Sequence, residues 1–284
     1  MIQWYPGHMA KAKKILTRDL KLVDLVIEVL DARIPASSRN PDLDQLLDNK
    51  KRIVALNKED LADRKITGEW LLFFKKKHPA VRVNSLGGQG MKELMSLLKR
   101  VSGELKERVR EKERTARDLR IMVIGIPNVG KSALINRLAG TAVTRTANRP
   151  GVTRGRQWIK IADEIRLLDT PGILWPKFDD EDVGYKLAVT GAIKDNLFDE
   201  ELAAYKLLKY LLEINEEIVS NNYQLGSETV EPYDILELIG RKKGCLMSGG
   251  KVDRLRASRL LINDFRSGKL GLVSLERPDE GGEG

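Results

Sequence analysis

Cysteine occurs once in this 284-residue chain, at Cys245, and histidine twice, at His8 and His78. A single cysteine excludes an intrachain disulfide and suits a reducing compartment. One cysteine and two histidines are also too few for a structural zinc site. No apolar run approaches the roughly 20 residues that span a bilayer. The opening stretch, Met1 to His8, shows no signal-peptide pattern. These absences lead to the expectation of a cytoplasmic protein without a membrane span. Hydrophobic residues at 42% are enough for a packed core, and charged residues at 32% suit a solvated surface. The length fits one large domain or two modest ones.

Positive charge is in excess. The net charge is +9 and the pI about 9.5, a balance common in proteins that meet a polyanion. The charge is also uneven. Residues 178–237 hold 15 Asp/Glu against 4 Lys/Arg, whereas residues 240–277 hold 10 Lys/Arg against 3 Asp/Glu. Ordinary solvated helix faces would account for this. A nucleic-acid surface shared by the N-terminal body and the late basic segment accounts for it as well.

The first part of the chain alternates strand and helix signals. Residues 9–21 combine helix formers with a basic face, and Val23 to Leu30 is an apolar strand. A helix over 41–49 starts at Asn40 as N-cap with Pro41 in its first turn. Ile53–Leu56 is a buried strand, Thr67–Lys77 a helix, Val81–Val83 a strand and 90–113 a long charged helix. Ile121–Ile124 is a strand, Ser132–Ala139 a helix, and Gln157–Ile161 with Glu164–Leu168 a hairpin. Such alternation points to a mostly parallel sheet flanked by helices. After Pro176 strand signals cease, and helices are expected around 202–212, over 232–240 and over 249–267. The reading is an α/β domain over 1–176 followed by an all-α domain over 177–284.

Three motifs carry the chemistry. Gly125-Ile-Pro-Asn-Val-Gly130-Lys131-Ser132 reads G-x-x-x-x-G-K-S between an apolar strand and a helix, the context a phosphate-binding loop requires. The backbone N–H groups of this loop, through Pro127, Asn128, Val129, Gly130, Lys131, Ser132 and Ala133, would surround phosphates at the helix N-terminus. Lys131 would reach the β- and γ-phosphates, and the Ser132 hydroxyl would ligate Mg2+. Asn57-Lys58-Glu59-Asp60 reads N-K-x-D at a strand end. A buried Asp60 would accept from guanine N1–H and the 2-amino group. Adenine offers neither donor, and an unpaired buried carboxylate would cost a few kcal/mol, on the order of 1–3 or more. Asn57 would brace the base edge and the phosphate loop, with the Lys58 stem along the base. Asn84 and Ser85 would complete the pocket, a backbone amide there meeting guanine O6. Asp169-Thr-Pro-Gly172 reads D-x-x-G, with Asp169 on Mg2+ through water and the Gly172 amide on the γ-phosphate. Thr153, in Arg149-Pro-Gly-Val-Thr153, is the candidate switch threonine on Mg2+; Thr141, Thr144 and Thr146 lie nearby.

These parts stand in rotated order. A Ras-like GTPase runs phosphate loop, D-x-x-G, N-K-x-D, whereas here N-K-x-D comes first. One catalytic part is absent: the glutamine that orients water after D-x-x-G in Ras-like enzymes is replaced by Ile173. His8 is a candidate for that task; a surface or packing histidine is the alternative. His78, in a Lys-Lys-His-Pro loop, has no assigned task. Asn128 in the phosphate loop raises activation by K+, since GTPases with Asn there often use that cation.

The chain resembles the circularly permuted GTPases. The resemblance covers nearly its whole length and rests on Trp4-Tyr-Pro-Gly-His-Met-Ala-Lys11, Asp31-Ala-Arg-Ile-Pro35, Ser38-Arg-Asn-Pro41, the three nucleotide motifs, Arg149–Thr153 and the extension of D-x-x-G to Pro176. It implies a circularly permuted Ras-like P-loop domain followed by an all-α domain, binding of GTP/GDP with Mg2+, and hydrolysis coupled to assembly of the large ribosomal subunit. Precursor particles and rRNA would be the partners, with no DNA expected. Ala133 departs from the threonine common at that place, where only a backbone amide is needed. On the rRNA reading Arg241, Lys242, Lys243, Lys251, Arg254, Arg256 and Arg259 would contact phosphates. A GTPase serving another RNA or protein, and a nucleotide-gated RNA-binding scaffold, are the alternative functions. An ATP-using kinase is disfavoured by N-K-x-D.

Overall fold

A computed structural model describes residues 14–40, 42–47, 50–113, 118–140, 158–162, 165–168, 180–225 and 231–278. The first part runs α1 (14–20), β1 (Leu25–Asp31), α2 (Pro35–Ser38), α3 (Asp42–Leu47), β2 (Lys51–Asn57), α4 (Arg64–Lys75), β3 (Ala80–Val83), α5 (Met91–Glu113), β4 (Leu119–Ile124), α6 (Lys131–Ala139), β5 (Trp158–Ala162) and β6 (Ile165–Leu168). The described residues beyond 179 form α7 (Glu181–Val189), a short 3-10 turn, α8 (Glu200–Ile214), α9 (Glu217–Tyr223), α10 (Pro232–Lys242) and α11 (Arg254–Arg266).

Six strands make one sheet in the order β3-β2-β1-β4-β6-β5. All neighbours are parallel except β5, which runs antiparallel to β6. All seven residues of β1 are buried, as expected of an interior parallel strand covered by helices on both faces. Leu25, Ile27 and Val29 face the apolar cluster that includes Leu94 of α5 and Leu134 of α6, and Val26 packs with Leu16 and Leu20 of α1. Leu30 packs with Ile66, Trp70 and Phe74 of α4. The larger cluster continues without a break into α7, α8 and α11. The expected boundary at 176 lies outside the described residues.

Two helix starts lie several residues from the sequence expectation because a cap was overlooked. α4 begins at Arg64 rather than Thr67, since Asp63 Oδ1 accepts from the Ile66 amide at 2.9 Å. α11 begins at Arg254 rather than near 249. Gly249 and Gly250, at φ of 84° and 77°, close a turn bridged by Leu246 and Val252, and Asp253 then caps the helix. Past α11 the chain returns to the first part. Val273 donates to the Leu61 carbonyl and Leu275 to that of Arg33, while Trp70 Nε1 donates to the Glu276 carbonyl. No helix among the described residues is long and apolar enough to cross a membrane.

Candidate nucleotide site

The carboxyl ends of β1, β2, β3 and β4 open on one edge of the sheet, where ligands bind in open α/β folds. β2 ends at Asn57, β3 leads to Asn84 and Ser85, and β4 leads through Gly125–Gly130 into α6. The adjacency of β2 to β1 and of β1 to β4 brings motifs together that lie some seventy residues apart in the chain. Asn57, only 2% exposed, joins them: its Nδ2 donates to the Val129 carbonyl at 2.7 Å. Its Oδ1 accepts from the Ser85 amide at 3.0 Å and the Ser85 hydroxyl at 2.8 Å.

The backbone is shaped by two glycines in this loop. Gly130 has φ of 99°, and a Cβ there would lie 2.2 Å from Asn57 Nδ2. Gly125 has φ of 153°, and a Cβ there would lie 2.5 Å from the Val29 carbonyl oxygen. Outside glycine, φ is positive at three described residues, and two of them, Lys58 at 62° and Asn128 at 56°, belong to the motifs. Such conformations cluster at binding sites. The N-terminus of the nine-residue α6 directs its first amides toward this loop. With the Lys131 ammonium and the exposed Ser132 hydroxyl beside it, the cradle suits a polyphosphate and its Mg2+.

Several side chains are not placed as the sequence reading had them. Lys131 folds back, buried, and donates to the Ile126 carbonyl at 2.6 Å. Asp60 is exposed in the turn after β2 rather than buried, because it lies beyond the last ladder residue. Asn84 closes its own loop, its Oδ1 accepting from the Leu86 and Gly87 amides. With the Ser85 amide on Asn57, three amides of this loop are engaged, so a guanine O6 contact there requires a shared or exchanged hydrogen bond. Pro127 and Ala133 are half-buried in the loop and first helical turn. His8, Thr153, Asp169 and Gly172 lie outside the described residues.

Four residues with no role in the sequence reading hold the site. Asp31 ends β1, 2% exposed, and binds Arg33 through Nε at 2.9 Å and Nη2 at 2.8 Å, and Lys58 Nζ at 2.9 Å. Burial alone would raise the Asp31 pKa; Arg33 and Lys58 outweigh it and hold the carboxyl well below the usual carboxylate range. Arg33, 1% exposed, also reaches the Thr190 carbonyl at 3.3 Å and lies over the Phe265 ring. Arg137 of α6 donates to the Ser85 carbonyl at 3.3 Å and to that of Leu86. Asp31 closes β1 and Arg33 follows it, both within the Asp31–Pro35 motif, so position signalled them; nothing local signals Arg137. The fourth, Glu276, accepts from the Ala36 amide at 2.8 Å and the Ser37 amide at 3.1 Å and pairs with Lys186 at 3.5 Å. It caps the N-terminus of α2 from 240 residues away.

The C-terminal end of α7 meets the site directly. Asn128 Nδ2 donates to the Gly191 carbonyl at 2.7 Å, and Arg266 of α11 donates to the Ala188 and Val189 carbonyls. Carbonyls at and just past the end of α7 are therefore met by Arg266 at Ala188 and Val189, by Arg33 at Thr190, and by Asn128 of the phosphate loop at Gly191.

The basic helical segment spends part of its charge internally. Arg254 pairs with Glu237 at 2.6 Å and Arg259 with Glu200 at 2.8 Å. Lys242 donates to the Gln224 carbonyl, and Lys243 lies over the Tyr223 ring. The acidic block 178–237 thus neutralises two arginines that the sequence reading assigned to phosphates.

Residues 120–226 match the family described as a 50S ribosome-binding GTPase. The chain is 45% identical over 284 residues to a Ribosome biogenesis GTPase A from Bacillus cereus, covering 100% of this chain and 96% of that one. It is 46% identical over 281 residues to the protein of that name from Priestia megaterium, covering 98% of each. The crystal structure of GNP-bound YlqF from T. maritima superposes with a TM-score of 0.66 at 32% identity, over 95% of this chain and 99% of that one.

Proposed function

This chain belongs to the ribosome biogenesis GTPase A family, and we propose that it hydrolyses GTP to GDP and phosphate as an assembly factor for the large ribosomal subunit, bound to precursor particles through rRNA. The observation that carries the nucleotide reading is Asn57 bridging the phosphate loop and the guanine loop. A single buried amide reports the spacing of base and phosphates, so both ends of one nucleotide are read together.

In the proposed cycle Lys131 leaves the Ile126 carbonyl for the phosphates, and the amides of Asn128 to Ala133 donate to the phosphate oxygens. Asp60 takes the guanine edge once the base covers it. Ser132, Thr153 and Asp169 would hold Mg2+, which offsets charge on the leaving diphosphate. Because Ile173 cannot orient water, turnover is slow until a partner or His8 supplies that function. K+ beside Asn128 would add positive charge near the phosphates; Asn128 would have to exchange Gly191 for that task, which connects nucleotide state to α7.

GTP hydrolysis titrated with purified large subunits tests this reading, with His8→Ala in parallel. The expected result is a rate that rises with subunit concentration and falls in the variant. A rate indifferent to subunits would favour the scaffold alternative, and a variant within about twofold of wild type (under ~0.5 kcal/mol) would remove His8 from the chemistry.

A further inference from the structure

A second charged feature lies on the far edge of the sheet from β5. The end of α4, the turn that follows it, the edge strand β3 and one face of α5 enclose a cleft of about 960 Å³. Its cations are Lys75, Lys76, Lys77, Arg82, Lys92 and Arg100, and its one carboxylate is Glu93. All six cations are exposed. Arg82 pairs with Glu59 at 3.4 Å. The other five have no ion pair among the described residues.

That distinguishes the cleft from the helical segment, where Arg254 and Arg259 are matched to carboxylates. Folding gains nothing from crowding five unmatched cations, since like charges at this range repel. Helix geometry also orders them. Lys92, Ser96 and Arg100 recur every fourth residue and so share one face of α5. At 1.5 Å per residue this row extends roughly 12 Å. Across the cleft Lys75–Lys77 form the opposite wall, and Leu71 and Leu97 contribute apolar lining. Burial, then the charges of Arg52, Arg39 and Lys77, hold the pKa of the lining His78 below the ordinary histidine value.

We propose that this cleft is a second contact surface for ribosomal RNA, binding the sugar-phosphate backbone and reading no base. The inference rests on the rRNA partnership proposed above. Flexible lysines act as point charges and suit phosphates without demanding fixed geometry. No Phe, Tyr or Trp lines the cleft, so it lacks the large stacking platforms that base-binding grooves use. Arg82 places the surface one ion pair from Glu59 of the guanine motif.

The test uses the full chain, protein-free ribosomal RNA and purified large subunits, with affinity measured across a salt series. Two variants remove opposite walls: Lys75→Ala/Lys76→Ala/Lys77→Ala, and Lys92→Ala/Arg100→Ala. Guanine nucleotide affinity serves as the folding control and should be unchanged. The plot of log affinity against log salt should become shallower by roughly 2 to 3 for the first variant and 1 to 2 for the second. If the first variant does not fold, the second decides. Slopes parallel to wild type would overturn the proposal. So would loss of subunit binding with unchanged binding to protein-free RNA, which would make the occupant an acidic protein surface. Wild-type protein that ignores both RNA and subunits would instead overturn the rRNA partnership, and this inference with it.

Discussion

Replacing Asp31 with alanine should destabilise this protein more than removal of any exposed carboxylate. The side chain is 2% exposed and binds two cations, Arg33 and Lys58. Lys58 is partly exposed and can turn to solvent. Arg33 cannot: its side chain is 1% exposed, and its Nη1 has no hydrogen-bond partner as it stands. Without Asp31 the guanidinium retains only the Thr190 carbonyl and the Phe265 face. Breaking a buried pair while leaving one charge behind costs about 3–5 kcal/mol. At 2–4 °C per kcal/mol for a chain approaching this size, the melting temperature should fall by about 6 to 20 °C. Asp31→Asn, which keeps the shape and one acceptor but not the charge, should fall between. The pH dependence has a defined sign. Since the folded-state pKa is depressed, the stabilisation is complete above the unfolded carboxylate value of roughly 3.9 and is lost as the pH falls below it toward the folded value. The gap between wild type and Asp31→Ala should therefore narrow in acid. Thermal melts from neutral pH to about pH 3 read all of this. A loss at neutral pH below ~1 kcal/mol would refute the claim that Asp31 compensates a trapped arginine.

Glu276→Ala should lower stability by about 1–3 kcal/mol, because the Ala36 and Ser37 amides lose their cap and Lys186 keeps Asp182 alone; urea unfolding checks it, with Glu276→Gln as the milder control. Gly130→Ala should weaken GTP binding by at least about tenfold in a fluorescent-nucleotide titration. Its Cβ would meet Asn57 Nδ2, and alanine at φ of 99° costs about 1–3 kcal/mol. Asn128→Ala should abolish any advantage of KCl over NaCl in hydrolysis assays, and equal wild-type rates in the two salts would dismiss the K+ role.

Much of the site was legible because its pieces are local. The strand before Asn57, the strand and helix around Gly125–Ser132, and the strand before Asn84 can each be read in one short window, the longest running from Leu119 to Ala139. What escaped was long-range. Glu276 sits 240 residues from the helix it caps, and no pattern near either end announces the pair. The ion pairs of Arg254 and Arg259 were hidden for the same reason: α11 packs on α8 and α10, where Glu200 and Glu237 meet it. Asp60 was expected buried because its partner base would bury it, whereas the chain leaves it at an exposed turn.

Residue identity and order were sufficient for the nucleotide, the permuted arrangement and the alternation of strand and helix. Each depends on backbone periodicity and on short motifs whose chemistry is contained in their own residues. Tertiary structure alone decided which charges remain available and which are consumed. Coulomb pairing depends on distance in space, and folding brings an acidic block onto a basic one while five cations beside β3 have no ion pair among the described residues. It also decided that α7 ends against both the phosphate loop and Arg33, since unsatisfied helix carbonyls take donors from whatever segment packs nearest.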